Sequence, residues 1–239
     1  MISAVKMRRA VANVLATRSY ANLAWEMLTE IATKVDVKHH PLLEKREVKR
    51  VAMILIASNR GLSGGFSSRL LTEAHRYIET NHKGQELDII LTGKQGKKMY
   101  HRFGHKVAAE FEKLDLTTQI AQILPMVQMA VADYIAGKYD KVVVAYTDFV
   151  SALKQTPRVK QLLPFEKVET RFIASNGKEV KSSNDAFKFE PDPTQVLEIL
   201  IPRLVEMQVY QAVLESDASE HSARMMAMRS ASDAASEMI

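Results

Sequence analysis

Residues 58–69 read Ser-Asn-Arg-Gly-Leu-Ser-Gly-Gly-Phe-Ser-Ser-Arg, directly after the apolar run Val51 to Ala57 and ahead of a helical pattern. A glycine-rich turn between a strand and a helix is where many α/β proteins hold phosphate, because small residues let backbone N–H groups reach the anion at a helix N-terminus. The residues here depart from that chemistry. Gly61, Gly64 and Gly65 fit neither GxxxxGK[ST] nor GxGxxG, no lysine closes the loop, and Phe66 follows the last glycine. A second Gly/Lys turn, Thr92-Gly-Lys-Gln-Gly-Lys-Lys98, follows the next apolar run and reads as a solvated basic helix start. Of the seven histidines, His101 and His105 stand four apart, but Gly104 breaks the helix that would align them and no HExxH acid accompanies them. Metal binding is therefore not expected. The chain has no cysteine, which excludes disulfides, thiolate ligands and Cys nucleophiles. It also lacks a GxSxG elbow and an evident acid–base pair.

The elements around the loop alternate in type. Strands are expected at Val48–Ala57, Leu87–Leu91, Lys106–Phe111 and Lys141–Phe149. Between them, helices are expected at Ser67–Thr80, at Gln95–Phe103, and from Thr118 to Ile135 with a kink or restart at Pro125. Alternation of this kind predicts a largely parallel sheet covered on both faces. Residues 166–189 are polar, with Ser175-Asn176-Gly177 as a turn, and are expected to form a surface hairpin or mobile loop.

Long helical patterns flank this region. Residues 1–36 carry no Gly or Pro and repeat apolar or small residues at Ala4, Met7, Val11, Val14, Ala21, Trp25, Leu28, Ala32 and Val35, broken by Arg18. At the other end, Asp192 and Pro193 form a helix start, and Leu197, Leu200, Leu204, Met207, Gln211, Leu214, Ala218, His221, Met225 and Met228 keep the same spacing. Pro202 is expected to bend this helix near its base. The methionines of its seam are expected to fill a coiled-coil core. At 1.5 Å per residue the helices would reach roughly 50 and 70 Å, and apolar seams of that length need each other or a partner. An antiparallel pairing is expected, with facing residue numbers summing to about 240, give or take two turns of 3.6 residues. Trp25 then lies opposite Gln211–His221, and Arg18 lies opposite Ser219–Met226, either near Glu220 or solvated. Neither outer end carries a cap, so the pattern reads as cut in mid-helix at both ends.

Composition sets wide limits. With 239 residues, 46% hydrophobic and 26% charged, the chain can bury a sizeable core as one or two domains. A formal net charge of +5, with basic residues dispersed, gives no reason to expect nucleic-acid binding. No apolar run approaches the ~18 residues of a membrane span. No signal peptide is visible at MISAVKMRRA.

The loop Ser58-Asn59-Arg60-Gly61-Leu62-Ser63-Gly64-Gly65-Phe66 resembles the S-D/N-R-G-L-x-G-G-F/Y signature of the γ subunits of F-type ATP synthases, with Ser63 where many members have Cys. Tyr139–Phe165 follows the same family's pattern. So do the segments EPDP and QVYQ and the run Ser219, Glu220, Ala223, Arg224, Met225, Ala227 and Met228, which is similar to S-E-H/Q-x-A-R-M-x-A-M. The resemblance implies a Rossmann-like three-layer α/β domain, residues 41–190, inserted between two long helices, 1–40 and 191–239, that form an antiparallel coiled-coil shaft. It implies a rotor without catalysis or cofactor of its own, whose partners are the α/β hexamer, the ε subunit and the membrane c-ring. Through the c-ring it would be peripheral to the cytoplasmic face of a bacterial inner membrane, a mitochondrial or chloroplast origin remaining open. A shaft that drives its partners in turn needs unequal faces, and Arg18, Trp25, Gln211, His221 and Ser232 supply them. The competing reading is a nucleotide-binding α/β enzyme with helical oligomerisation arms. A dinucleotide enzyme should end its second strand in an acid, whereas this one ends in Leu91-Thr92-Gly93 and has Glu86 and Asp88 at its start.

Overall fold

The computed structural model describes residues 3–18, 41–165 and 193–238. Trp25, Leu28, the Asp192 cap and the hairpin expected at 166–189 lie outside the described residues. Five strands form one sheet: β1 (Arg50–Ile56), β2 (Glu86–Thr92), β3 (Lys106–Phe111), β4 (Lys141–Phe149) and β5 (Gln155–Leu163), in the order β3-β2-β1-β4-β5. The first four run parallel. β5 returns antiparallel along β4, from Phe149↔Gln155 to Val142↔Leu163, through a tight turn closed by Ser151 and Lys154.

The central strands are buried on both faces, which is why they read as continuous apolar runs rather than alternating ones. Alternation along β1 still sorts its side chains. Val51, Met53 and Leu55 pack with Ile89, Leu91, Val143 and Ala145 under helix α2 (Phe66–Asn81), through its Leu70, Leu71, Ala74 and Ile78. Ala52, Ile54 and Ile56 pack on the opposite face with helix α4 (Leu124–Ile135) and the long helix α5 (Pro193–Met238). The helical residues 3–18, here α1, send Ala10 and Val14 into this same cluster. Apolar packing is thus continuous from the sheet into α1 and α5.

Local differences from the sequence reading have local causes. The helix expected from Gln95 begins as a 3-10 turn, Lys94–Lys97, and continues as α3 (Lys98–Phe103). The stretch after Thr118 forms a 3-10 turn capped by Gln119 and Gln122, and α4 restarts with Pro125 in its first turn, where a missing N–H is harmless. α5 is a single 46-residue helix that continues through Pro202.

Candidate functional site at the junction of loop and long helix

The two motifs singled out in the sequence lie against each other. A Cβ built on Gly64, whose φ is +55°, would stand 3.5 Å from Ala227 Cβ and 3.6 Å from the Ala223 carbonyl oxygen of α5. The positive φ suits glycine, while the helix passes at ordinary van der Waals distance. Arg224 joins the contact, reaching the Arg60 carbonyl at 3.4 Å and the Glu220 carboxylate at 2.8 Å. Leu62 is also in the left-handed region, φ 59°, and is 80% exposed, which is unusual for a leucine on both counts.

The polar groups of the loop are spent on structure. Ser58 Oγ lies 2.6 Å from Ser67 Oγ and 3.0 Å from the Arg60 carbonyl oxygen. The Asn59 amide donates to the Lys113 carbonyl at 2.6 Å, while its oxygen accepts the Lys94 N–H at 3.3 Å. The Gln95 N–H donates to the Ser58 carbonyl. Asn59 therefore ties together the loops that follow β1, β2 and β3, and the second Gly/Lys turn spends its N–H groups on the first loop. Gly93 carries the tightest requirement in this joint: with φ +96°, any Cβ there would run into the Ala57 carbonyl.

In open α/β sheets ligands bind beyond the strand C-termini where the strand order reverses, here between β1 and β4. That position is taken by α5. The Thr147 and Phe149 N–H groups at the end of β4 donate to Ser216 Oγ at 3.1 Å and Glu215 Oε2 at 2.9 Å, and Ser219 Oγ donates to the Thr147 carbonyl at 3.2 Å. A residual cleft of about 480 Å³ beside the loop is lined by Lys94 and Arg60 but also by Glu110, Glu112 and Asp115, acids that oppose a phosphate.

The middle of α5 differs from the one-sided seam expected of it. Every residue from Gln211 to Ala223 is buried, acids included. The charges are paired. The Arg18 guanidinium holds Glu215 through contacts of 2.8–3.0 Å and donates to the Phe149 carbonyl at 2.9 Å. The Lys113 ammonium lies 2.8 Å from Asp217 and 2.7 Å from Glu220, with its side chain 4% exposed. Burial alone would lower the Lys113 pKa, but Asp217 and Glu220 more than offset it and raise it. Burial pushes Glu220 up, yet Lys113 and Arg224 draw its carboxyl below the ordinary range. For Glu215 burial wins over Arg18 and the Phe149 N–H, leaving its pKa raised.

Arg18 thus meets Glu215, not Glu220, because Glu220 is already held by Lys113 and Arg224. The facing pairs Thr17–Gln211, Ser3–Met228 and Arg18–Glu215 sum to 228, 231 and 233, so the pairing is antiparallel, with Arg18–Glu215 within two turns of 240 and the other two pairs up to about three turns from it. His221 meets the Asp115 carbonyl at 2.7 Å, and Val14 and Leu214 are buried while Val11 packs at the cluster's edge. The seam methionines do not fill a tight core among the described residues: Met207 and Met225 are half-buried and Met228 is exposed. Met225 and Met228 line an open groove of about 910 Å³ with Lys6, Arg60, Arg224 and Arg229. His105 sits 3.1 Å from His75, a pairing the sequence spacing did not suggest. Among the described residues no group of three His, Cys, Asp or Glu could hold a metal, and no helix is long and apolar enough to cross a membrane.

Lys113, Thr117 and Asp217 were missed in the sequence. The available signal was Gln211–Ser222, QAVLESDASEHS, polar on every side of a helix that had to be packed somewhere.

A family model described as ATP synthase matches residues 1–239. The "ATP synthase gamma chain" of Chloroflexus aurantiacus is 40% identical over 243 residues, covering 100% of this chain and 81% of that protein. The chain belongs to the ATP synthase gamma chain family. The Legionella pneumophila gamma chain is 33% identical over 240 residues, again with all of this chain and 81% of the relative covered. Family membership displaces the reading of a nucleotide-binding enzyme. In fold, the chain is similar to one from the central stalk and c-ring of the Tetrahymena thermophila mitochondrial ATP synthase, with a TM-score of 0.66 at 19% identity, covering 97% of this chain and 100% of that one.

Proposed function

We propose that the chain is the central rotor shaft of an F-type ATP synthase, coupling ion flow through a membrane c-ring to ATP synthesis or hydrolysis in an α/β hexamer, and that it performs no chemistry itself. The observation that carries this reading is α5. Its middle is buried and ionically locked into the globular domain, whereas its last ten residues, Arg229–Met238, are exposed on every side. A helix of 46 residues is about 69 Å long, and one locked to the globular domain at mid-length extends beyond that domain as a shaft would.

In this reading residues 41–190 form the globular part, which meets the c-ring and the ε subunit, and 1–40 with 191–239 form the shaft. The signature residues Ser58, Asn59, Arg60, Gly61, Gly64 and Gly65 serve as the seat on which Ala223, Arg224 and Ala227 rest. The complex would lie on the cytoplasmic face of a bacterial inner membrane, with this chain peripheral to it. Affinity purification of the tagged full-length chain from its own cells tests the assignment. Recovery of α, β and ε subunits in stable proportion is expected; a chain recovered free of α and β under mild conditions would overturn it.

A further inference from the structure

We propose that residues 113–117, the segment leaving β3, form a strap that fixes the register of both long helices against the globular domain, with the Lys113 ammonium as its clamp. The inference rests on the rotor reading and adds to it the place where torque passes between globular domain and shaft.

Three of its residues, Lys113, Asp115 and Thr117, reach α5, α1 and the loop after β1. Toward α5, Lys113 bonds Asp217 and Glu220, the Thr117 N–H donates to Asp217 Oδ2 at 2.8 Å, and the Asp115 carbonyl meets His221. Toward α1, the Asp115 carboxylate pairs with Lys6 at 2.7 Å and the Thr117 carbonyl accepts from Asn13 at 3.5 Å. Toward the globular domain, the Lys113 carbonyl accepts from Asn59, which also holds Lys94 in the loop after β2. The Lys6–Asp115 pair is partly exposed and contributes little. The fully buried contacts of Lys113 decide the matter.

Torque on a helix is a sliding load. Apolar burial is non-directional, so an apolar seam resists separation more than it resists slip. Buried ion pairs and hydrogen bonds resist slip, since a small displacement leaves charge unpaired in a dry site. All-round burial of polar residues at 211–222 is therefore suited to a joint that must not turn.

The test uses the assembled complex, carrying the full-length chain, in sealed vesicles. Lys113→Met leaves Asp217 with the Thr117 N–H and facing Tyr210, and leaves Glu220 with Arg224 and next in sequence to His221. ATP synthesis should fall about fivefold or more while ATP hydrolysis stays within about twofold. The deficit relative to the parent complex should narrow as pH is lowered, because protonating the stranded carboxylates removes their unpaired charge. Lys113→Arg should restore most of the synthesis. Should Lys113→Met fail to assemble, the triple variant Lys113→Met, Asp217→Asn, Glu220→Gln removes the buried charges together and should assemble with the same selective loss. A ratio of synthesis to hydrolysis equal to the parent's in an assembled variant, or a Lys113→Met deficit indifferent to pH, overturns the strap. The parent chain's own ability to restore coupled synthesis to a complex lacking its gamma chain tests the rotor reading separately.

Discussion

At the scale of single residues, the junction is governed by backbone constraint and buried charge. Gly64→Ala should be mild, because its Cβ would make ordinary contact with Ala227 and only the positive φ is penalised, by about 1 kcal/mol. Gly93→Ala must also displace the Ala57 backbone, and should cost at least about 2 kcal/mol more. Urea denaturation of the two variants checks the order. The two glutamates should respond oppositely to pH. Glu220 is depressed on folding, so its contribution is complete above the unfolded pKa and is lost as pH falls through the folded value. Glu215 is raised, so its contribution is complete below the unfolded pKa and is lost as pH rises through the folded value. The stability deficit of Glu220→Gln should therefore narrow from pH 7 toward about pH 4, and that of Glu215→Gln should narrow in the other direction.

At the scale of elements, α5 and the loops under it make two predictions. Ala227→Pro removes a helix hydrogen bond beside the Gly64 contact and costs roughly 3 kcal/mol locally. In the assembled enzyme ATP synthesis should fall more than ATP hydrolysis, since hydrolysis tolerates slack that coupling does not; equal losses would count against a mechanical role. Calorimetry of the chain with ATP, ADP and NAD should give no heat of binding at millimolar ligand, because α5 fills the crevice and Glu110, Glu112 and Asp115 line the cleft that remains. The central strands were legible because burial on both faces leaves an apolar run, as in Val51–Ile56. β5 was not legible: QTPRVKQLL is half-exposed at a sheet edge and carries Pro157, which the edge tolerates but which reads as a strand breaker. The 3.5-residue seam of α5 was visible, whereas its second set of contacts was not. Acids such as Asp217 look solvated until Lys113, 104 positions away, is folded against them.

At the scale of the molecule, the continuous core explains how one chain can be both foot and shaft. Ala10 and Val14 of α1 and Ile201 to Ala218 of α5 share a cluster with strands β1 and β4, so the helices are part of the globular domain before they leave it. Rigid attachment at this depth is what a shaft requires. It also explains why motif matching identified the family while spacing alone gave the antiparallel pairing only to within a few turns: the register is set by the polar contacts of Arg18 with Glu215 and of Thr17 with Gln211, which an even apolar repeat does not specify. In a rotor built this way the globular domain and α5 turn as one body inside an α/β hexamer. The most direct measurement immobilises the assembled complex through its β subunits, attaches a visible probe to the exposed β4–β5 turn at Leu153, and adds ATP. The account predicts sustained rotation of the probe in one direction, stopping when ATP is exhausted; a stationary probe on a complex that continues to hydrolyse ATP would contradict it.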